Sequence, residues 1–135
     1  MIKLEHKTKK ELEKLGVAAV YLFGSHAEGV ASALSDLDIA ILLKDADLIA
    51  NDSFGIYEKL YDLFIKEIPG FANKIDIVFL DRSPLELAHD VVTHGKVLFD
   101  ADVQKRVSYQ ERILLKYADF FPILKQFDEA ILLRF

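Results

Sequence analysis

The chain has no cysteine, which excludes a disulfide scaffold, a thiolate zinc site and thiol catalysis. It has no long apolar run either. The longest, Val17–Phe23, is seven residues, against the ~20 that a bilayer-spanning helix needs, so no membrane association is expected. Lysines crowd the N-terminal segment with no apolar block behind them, so no secretion signal is read there and a cytoplasmic protein is expected. Positive charge is in short supply: 17 Lys and Arg against 22 Asp and Glu, net −5. Nucleic-acid affinity rests largely on neutralising phosphates, so direct nucleic-acid binding is not expected. Proline and glycine are few, 3 and 6, and most sit at plausible element ends. No linker, repeat or low-complexity segment appears. What is abundant is apolar side chain, 52% of 135 residues. That suffices for one domain burying about two-thirds of its surface, and it excludes a disordered chain. A second substrate domain would not fit, so residues 1–135 read as one domain, with a core over 8–100 and a C-terminal helix and apolar tail over 101–135.

The pattern predicts alternating helices and strands, a mixed α/β (α+β) domain with a small sheet flanked by helices. Thr8 and Glu11 have capping-box spacing and Gly16 follows Leu15 as a stop, which predicts a short helix burying Leu12 and Leu15. Val17–Phe23, apolar throughout, suits a strand covered on both faces. Gly24 ends it, and residues 25–35 read as a turn with a short helix. Asp36–Leu43 is the second predicted strand. Asp52 or Ser53 would cap a helix carrying Phe54, Tyr57, Tyr61 and Phe64, closed by Pro69-Gly70. Lys74–Leu80 is the third strand. Ser83, Pro84 and Glu86 form a further helix start, stopped by Gly95, and Lys96–Phe99 could add a strand. A long helix from about Asp102 to Phe121 would place Val103, Val107, Leu114, Tyr117 and Phe121 on one stripe, interrupted by Pro122. The tail beyond it, with Ile123, Leu124, Phe127, Ile131, Leu132, Leu133 and Phe135, reads first as a segment docked on its own domain. Alternatively it supplies an oligomer interface.

Chemistry concentrates in two short stretches. One is Gly24-Ser25 at the end of a covered strand; the other is Asp36-Leu37-Asp38 at the start of the next. Residues i and i+2 of a strand share a face, roughly 6–7 Å apart. Two aspartates there repel, and a divalent cation relieves the repulsion. Magnesium favours such carboxylates together with water and phosphate oxygens. Asp76, the acid inside the third strand, could face the same cleft, and three carboxylates can hold two metal ions for in-line phosphoryl chemistry. Gly24 lets the backbone turn sharply towards an anion, and Ser25 would open the next helix, adding a hydroxyl donor. Gly24-x4-Gly29 is not a P-loop, because Val30-Ala31 stands where Lys and Ser/Thr are required. Asp45-x-Asp47, after the strand, reads as turn chemistry. His26 reads either as a substrate contact or as a surface residue. His94 before Gly95 suits a helix C-terminus.

Gly24-Ser25, ten residues, then Asp36-Leu37-Asp38 resembles the signature of the nucleotidyltransferase superfamily related to DNA polymerase β. The brevity resembles its minimal nucleotidyltransferase (MNT) subfamily. The likeness covers Val17 to Phe79 and His94-Gly95-Lys96. Arg106, Tyr117 and Asp119 also look like family features. The resemblance implies the nucleotidyltransferase fold and magnesium-dependent transfer of a nucleoside monophosphate, usually from ATP, to a hydroxyl. By position, Gly24 and Ser25, with His26 beside them, would hold the triphosphate. Asp36 and Asp38 would bind the two magnesium ions, and Asp76 would complete the metal site and help to activate the acceptor. MNT proteins are often antitoxins of HEPN ribonucleases, some modifying a partner tyrosine with AMP. Three functions follow as expectations: AMP transfer onto a HEPN partner, masking of that partner without transfer, or transfer to a small molecule such as an antibiotic. Many members carry arginines after Gly-Ser, where this chain has His26 and Glu28; Glu28 is expected to face solvent. Arg82 and His89 match the HEPN motif spacing, but they straddle a strand end and a helix start and read as coincidence.

Overall fold

A computed structural model of the chain describes residues 2–32 and 34–132. Strands β1 (Val17–Phe23), β2 (Leu37–Leu43), β3 (Ile75–Phe79) and β4 (Lys96–Asp100) form one sheet in the order β3–β2–β1–β4. β1 runs antiparallel to β2 and β4, whereas β2 and β3 are parallel. A parallel pair needs a crossover, and helix α3 (Asp47–Glu67) supplies it.

The sheet is covered on both faces. Val20, Leu22, Ile39, Ile41 and Ile77 pack with Leu12 of α1 (His6–Lys14) and with Leu60 and Phe64 of α3. The alternate residues, among them Ala19, Tyr21, Phe23, Ala40 and Leu42, pack with Ala88 and Val91 of α4 (Leu85–His94) and with Tyr109 and Ile113 of α5 (Val103–Leu132). All seven residues of β1 are therefore buried, which is why its sequence shows no polar alternation.

Several expected boundaries move. Thr8 does not cap α1. The helix begins at His6, and Thr8, buried inside it, donates its hydroxyl to Glu67 of α3 at 2.7 Å. A tertiary acceptor outcompetes the local cap. Asp52 does cap, but within a longer element: its carboxylate accepts the Gly55 amide at 3.0 Å, and its own backbone (φ −158°, ψ 67°) kinks α3. Phe54, on the expected apolar stripe of that helix, is 72% exposed. Ser83 donates to the Phe79 carbonyl at 2.7 Å across a 3-10 turn (Leu80–Arg82), and α4 starts after Pro84 instead.

Pro122 lies inside α5 rather than ending it. It costs the helix one hydrogen bond, but Ala118 four residues back is exposed, where water can satisfy the freed carbonyl. The expected core stripe of α5 is also not the buried one. Val103, Val107, Leu114 and Phe121 are exposed, and Tyr109 and Ile113 face the sheet. Beyond Tyr117, whose ring still stacks on His89 of α4, the helix leaves the domain, with Phe120, Ile123 and Phe127 exposed, so the described part of the tail does not dock on the domain. The side chains of Leu124, Ile131 and Leu132, and all of Leu133 and Phe135, lie outside the described residues. Among the described residues no helix is long and apolar enough to cross a membrane.

The contrast between α3 and the end of α5 is measurable. Phe64 is fully buried and Phe127 is 64% exposed. Phe64→Ala should cost about 3–5 kcal/mol in urea denaturation, whereas Phe127→Ala should change stability by less than about 0.5 kcal/mol. Equal losses would show that the end of α5 packs on the domain.

Candidate active site

The Gly-Ser turn and the aspartates converge at one end of the sheet. Gly24 follows β1 in a left-handed conformation (φ 73°) and leads into the single turn α2 (Ser25–Glu28), which ends at Gly29 (φ 75°). The Gly24 carbonyl accepts the amides of Ala27 and Glu28 at 3.1 and 3.2 Å. A Cβ at position 24 would overlap the Oδ2 atom of Asp38. The glycine is therefore required twice, for its φ and for the carboxylate lying against it.

Asp38 occupies the middle of this arrangement. In the ladder it stands opposite Phe23 of β1 on one side and Asp76 of β3 on the other. Asp36, two residues earlier, leads into β2. Asp38 is half-buried, whereas Asp36 and Asp76 are exposed. Burial pushes the Asp38 carboxyl above its usual range, Asp76 and then Asp36 push it further, and His26 offsets part of the rise. The charges of Asp76 and Asp36 thus both bear on the Asp38 carboxyl. Among the described residues, however, no three acidic or histidine side chains draw close enough to enclose a metal ion. The donor set nonetheless fits a hard divalent cation: carboxylate oxygens, mutually repelling, with two of them open to water and phosphate.

His26 is held from two further elements. Its Nε2–H donates to the Ser35 carbonyl at 3.2 Å. The ring also meets Phe71 edge-on, 5.3 Å between centroids at 78°. The histidine therefore ties α2 to the approach of β2 and to the loop between α3 and β3. Phe71 gave no sign of this in the sequence, since it sits beside Pro69-Gly70 in what reads as a closing loop. Glu28 is exposed, as expected. On the far side of the Gly-Ser turn, a groove of about 1110 Å³ runs between the N-terminal segment and β4 and reaches His26.

Residues 6–104 match the polymerase beta, nucleotidyltransferase family. The chain belongs to that family. It is 32% identical over 112 residues, covering 77% of this chain and 71% of the relative, to the protein adenylyltransferase MntA of Aphanizomenon flos-aquae. A toxin–antitoxin crystal structure with AMP-PNP shares its fold at a TM-score of 0.65 and 24% identity, over 92% of this chain and 98% of that one. A tri-AMPylated Shewanella oneidensis HEPN toxin in complex with its MNT antitoxin aligns at a TM-score of 0.59 and 20% identity, over 93% and 97% of the two chains.

Other polar residues of this nucleotidyltransferase are accounted for by packing. Arg106 donates from Nε to Asp100 at 2.8 Å and from Nη1 to Gln110, fastening the start of α5 to β4. His89 stacks on Tyr117 of α5 with centroids 3.6 Å apart, and the Arg82 guanidinium lies over the Phe79 ring of β3. His94 pairs with Asp90 at 3.1 Å near the end of α4. Asp45 accepts the Asp47 amide at 2.9 Å, the expected turn. Asp81 accepts the Leu43 amide at 3.0 Å, and its burial raises its carboxyl.

Two outcomes follow. A carboxyl whose folded pKa is raised costs stability at pH values above that pKa and costs nothing below the unfolded value of about 3.9. Asp38→Asn should therefore melt higher than wild type at pH 7 in EDTA, and the difference should vanish near pH 3; a lower melting point at pH 7 would mean that Asp38 stabilises the fold. Gly24→Ala should destabilise by more than about 1 kcal/mol in denaturant titration, and a neutral result would show that the turn adapts.

Proposed function

We propose that this nucleotidyltransferase transfers AMP from ATP to a hydroxyl of a partner protein, a HEPN-domain toxin that it neutralises as the antitoxin of the pair. The observation that carries the reading is the wedging of Asp38 between the Gly24 turn and Asp76. It supports the reading by setting the Gly24 turn, proposed to bind phosphate, against the carboxylates proposed to hold cations. The likeness to a curated adenylyltransferase over most of its length supports AMP as the group moved, and the solved complexes support a HEPN protein as the acceptor. A cytoplasmic site of action and a single catalytic domain, with its core over 8–100, fit the same reading.

Each residue has a part. The Gly24 and Ser25 backbone, the Ser25 hydroxyl and the His26 ring hold the triphosphate. Asp36, Asp38 and Asp76 hold two magnesium ions. Bound there, magnesium would neutralise phosphate charge and favour in-line displacement at the α-phosphorus. Asp76, exposed at the open side of β3, takes the proton of the acceptor hydroxyl as that oxygen bonds to the α-phosphorus. The bond to the β-phosphate breaks, and pyrophosphate leaves. Burial and then the charges of Asp76 and Asp36 raise the Asp38 carboxyl, and a cation would offset that charge. Part of the acceptor-binding surface is the apolar face of α5 beyond Tyr117, exposed over Phe120, Ile123 and Phe127.

That same face favours a second reading, in which the domain masks the toxin without modifying it. Transfer and masking separate in one experiment, using ATP labelled at the α-phosphate, magnesium, the HEPN partner, and Asp36→Asn/Asp38→Asn as control. Label should appear on the partner and fall at least about 100-fold in the control, while the complex still forms on gel filtration. A complex without label would establish masking. A control as active as wild type would remove the metal assignment.

A further inference from the structure

β4 is the last strand on its side of the sheet, and it pairs with β1 alone. Its outer edge therefore offers unpaired amides and carbonyls, the groups that pair readily with another extended chain. Among the described residues, no backbone hydrogen bond joins β4 to the N-terminal segment that runs past it. Between the two lies the groove, walled by Leu4, Leu22 and Leu98. Val97 at the edge is 42% exposed. Leu22 belongs to the layer with Leu12 and Phe64, whereas Phe23, paired with Asp38, belongs to the other. The groove is thus on the opposite face of the sheet from Asp38.

It is also a basic place on an acidic protein. The net charge is −5, yet the charged residues lining the groove are Lys3, Lys9 and Lys96, with His26 alongside and no acid. Among the described residues the salt bridges use Lys14, Lys44, His94 and Arg106, so these three lysines have no carboxylate partner. Unpaired cations along a concave, partly apolar wall focus a positive potential there. The fold sets their places. Lys96 stands opposite Leu22 in the β1–β4 ladder. Lys3 and Lys9 flank a segment pinned to α3, where Glu67 accepts the Glu5 amide at 2.5 Å and the Thr8 hydroxyl at 2.7 Å.

Edge and charge together select the occupant. A chain of phosphates would meet the lysines but not the edge carbonyls, which repel anions. An extended polypeptide satisfies edge amides and carbonyls alike, lays apolar side chains against Leu22 and Leu98, and with acidic side chains pairs the lysines. A second copy of this chain fits poorly. It would set one cationic groove against another, and Asp100, the acid of β4, is already held by Arg106 at 2.8 Å. We propose that the β4 edge and its groove take an extended segment of the acceptor protein, with Asp or Glu alternating with apolar residues, as an added strand of the sheet. The inference rests on the proposed partner for the source of the segment, but not for the groove. Strand addition holds the acceptor through the β4 backbone, apart from the apolar face of α5.

The test uses the full chain and two binders, the HEPN partner and a fluorescein-labelled peptide, Glu-Val-Glu-Ile-Glu-Val-Glu. Lys9→Glu/Lys96→Glu, both exposed positions, should raise the dissociation constant of the peptide at least about tenfold by anisotropy. Lys9→Arg/Lys96→Arg should leave it within about twofold of wild type. The same peptide with Lys in place of Glu should not bind. With the HEPN partner, the charge reversal should weaken the complex in step, and hydrogen exchange of the β4 amides should slow on binding. A peptide that wild type does not bind, or that the charge reversal leaves unaffected, overturns the proposal. A peptide lost on charge reversal, beside unchanged partner affinity and unslowed β4 exchange, keeps the groove as an acidic-segment site and overturns the acceptor as its source. If wild type forms no complex with the HEPN protein, the partner reading fails, and the peptide titration still decides the groove.

Discussion

The half-buried carboxylate of Asp38 is the constraint on which the functional end of the molecule depends. It lies so close to Gly24 that position 24 tolerates no side chain, it faces Asp76 across the parallel ladder, and it sits two residues from Asp36. Burial and two like charges make it costly to ionise. A structure selected for stability alone would place an apolar residue there, as it does at Ala40 and Leu42 further along the same face. The strain is concentrated where a cation can relieve it, a common way for a binding site to be stabilised by its ligand.

The remainder of the fold supplies rigidity around that point. β1 is buried along its whole length and ends at the turn, so the position of Gly24 is set by side chains packed on both faces of the sheet. The crossover through α3 makes the β2–β3 pair parallel and brings Asp38 and Asp76 into register. His26 then ties α2 to Ser35 and Phe71, so the turn is braced by the segments before β2 and β3 as well as by β1. A backbone so constrained can present amides to a phosphate without reorganising.

Helix α5 divides into two parts with different roles. Its first half packs Tyr109 and Ile113 on the sheet and is fastened by Arg106 and Asp100. Its second half carries Phe120, Phe121, Ile123 and Phe127 into solvent. That exposed apolar face is the surface assigned above to the proposed protein acceptor.

How much of this was legible in the sequence depended on the range of the interactions involved. The short-range chemistry was readable: the covered strand, the Gly-Ser turn, the paired aspartates, the Asp45 turn and the stop at Gly16 follow from backbone preferences and side-chain spacing, and they determine by themselves the α/β class and the identity of the candidate site. Competition between local and distant partners was not. Thr8 had a capping position available and bonded Glu67 instead, Ser83 turned back to Phe79, and Pro122 was carried within a solvated helix. Nor could periodicity tell which stripe of α5 meets the sheet, because apolar residues lie on more than one of its faces. Tertiary structure alone decided that Asp76 registers with Asp38, that Phe71 braces His26, and that the N-terminal segment and β4 line one groove. Each of these depends on where the sheet brings separate segments together, which no local spacing encodes.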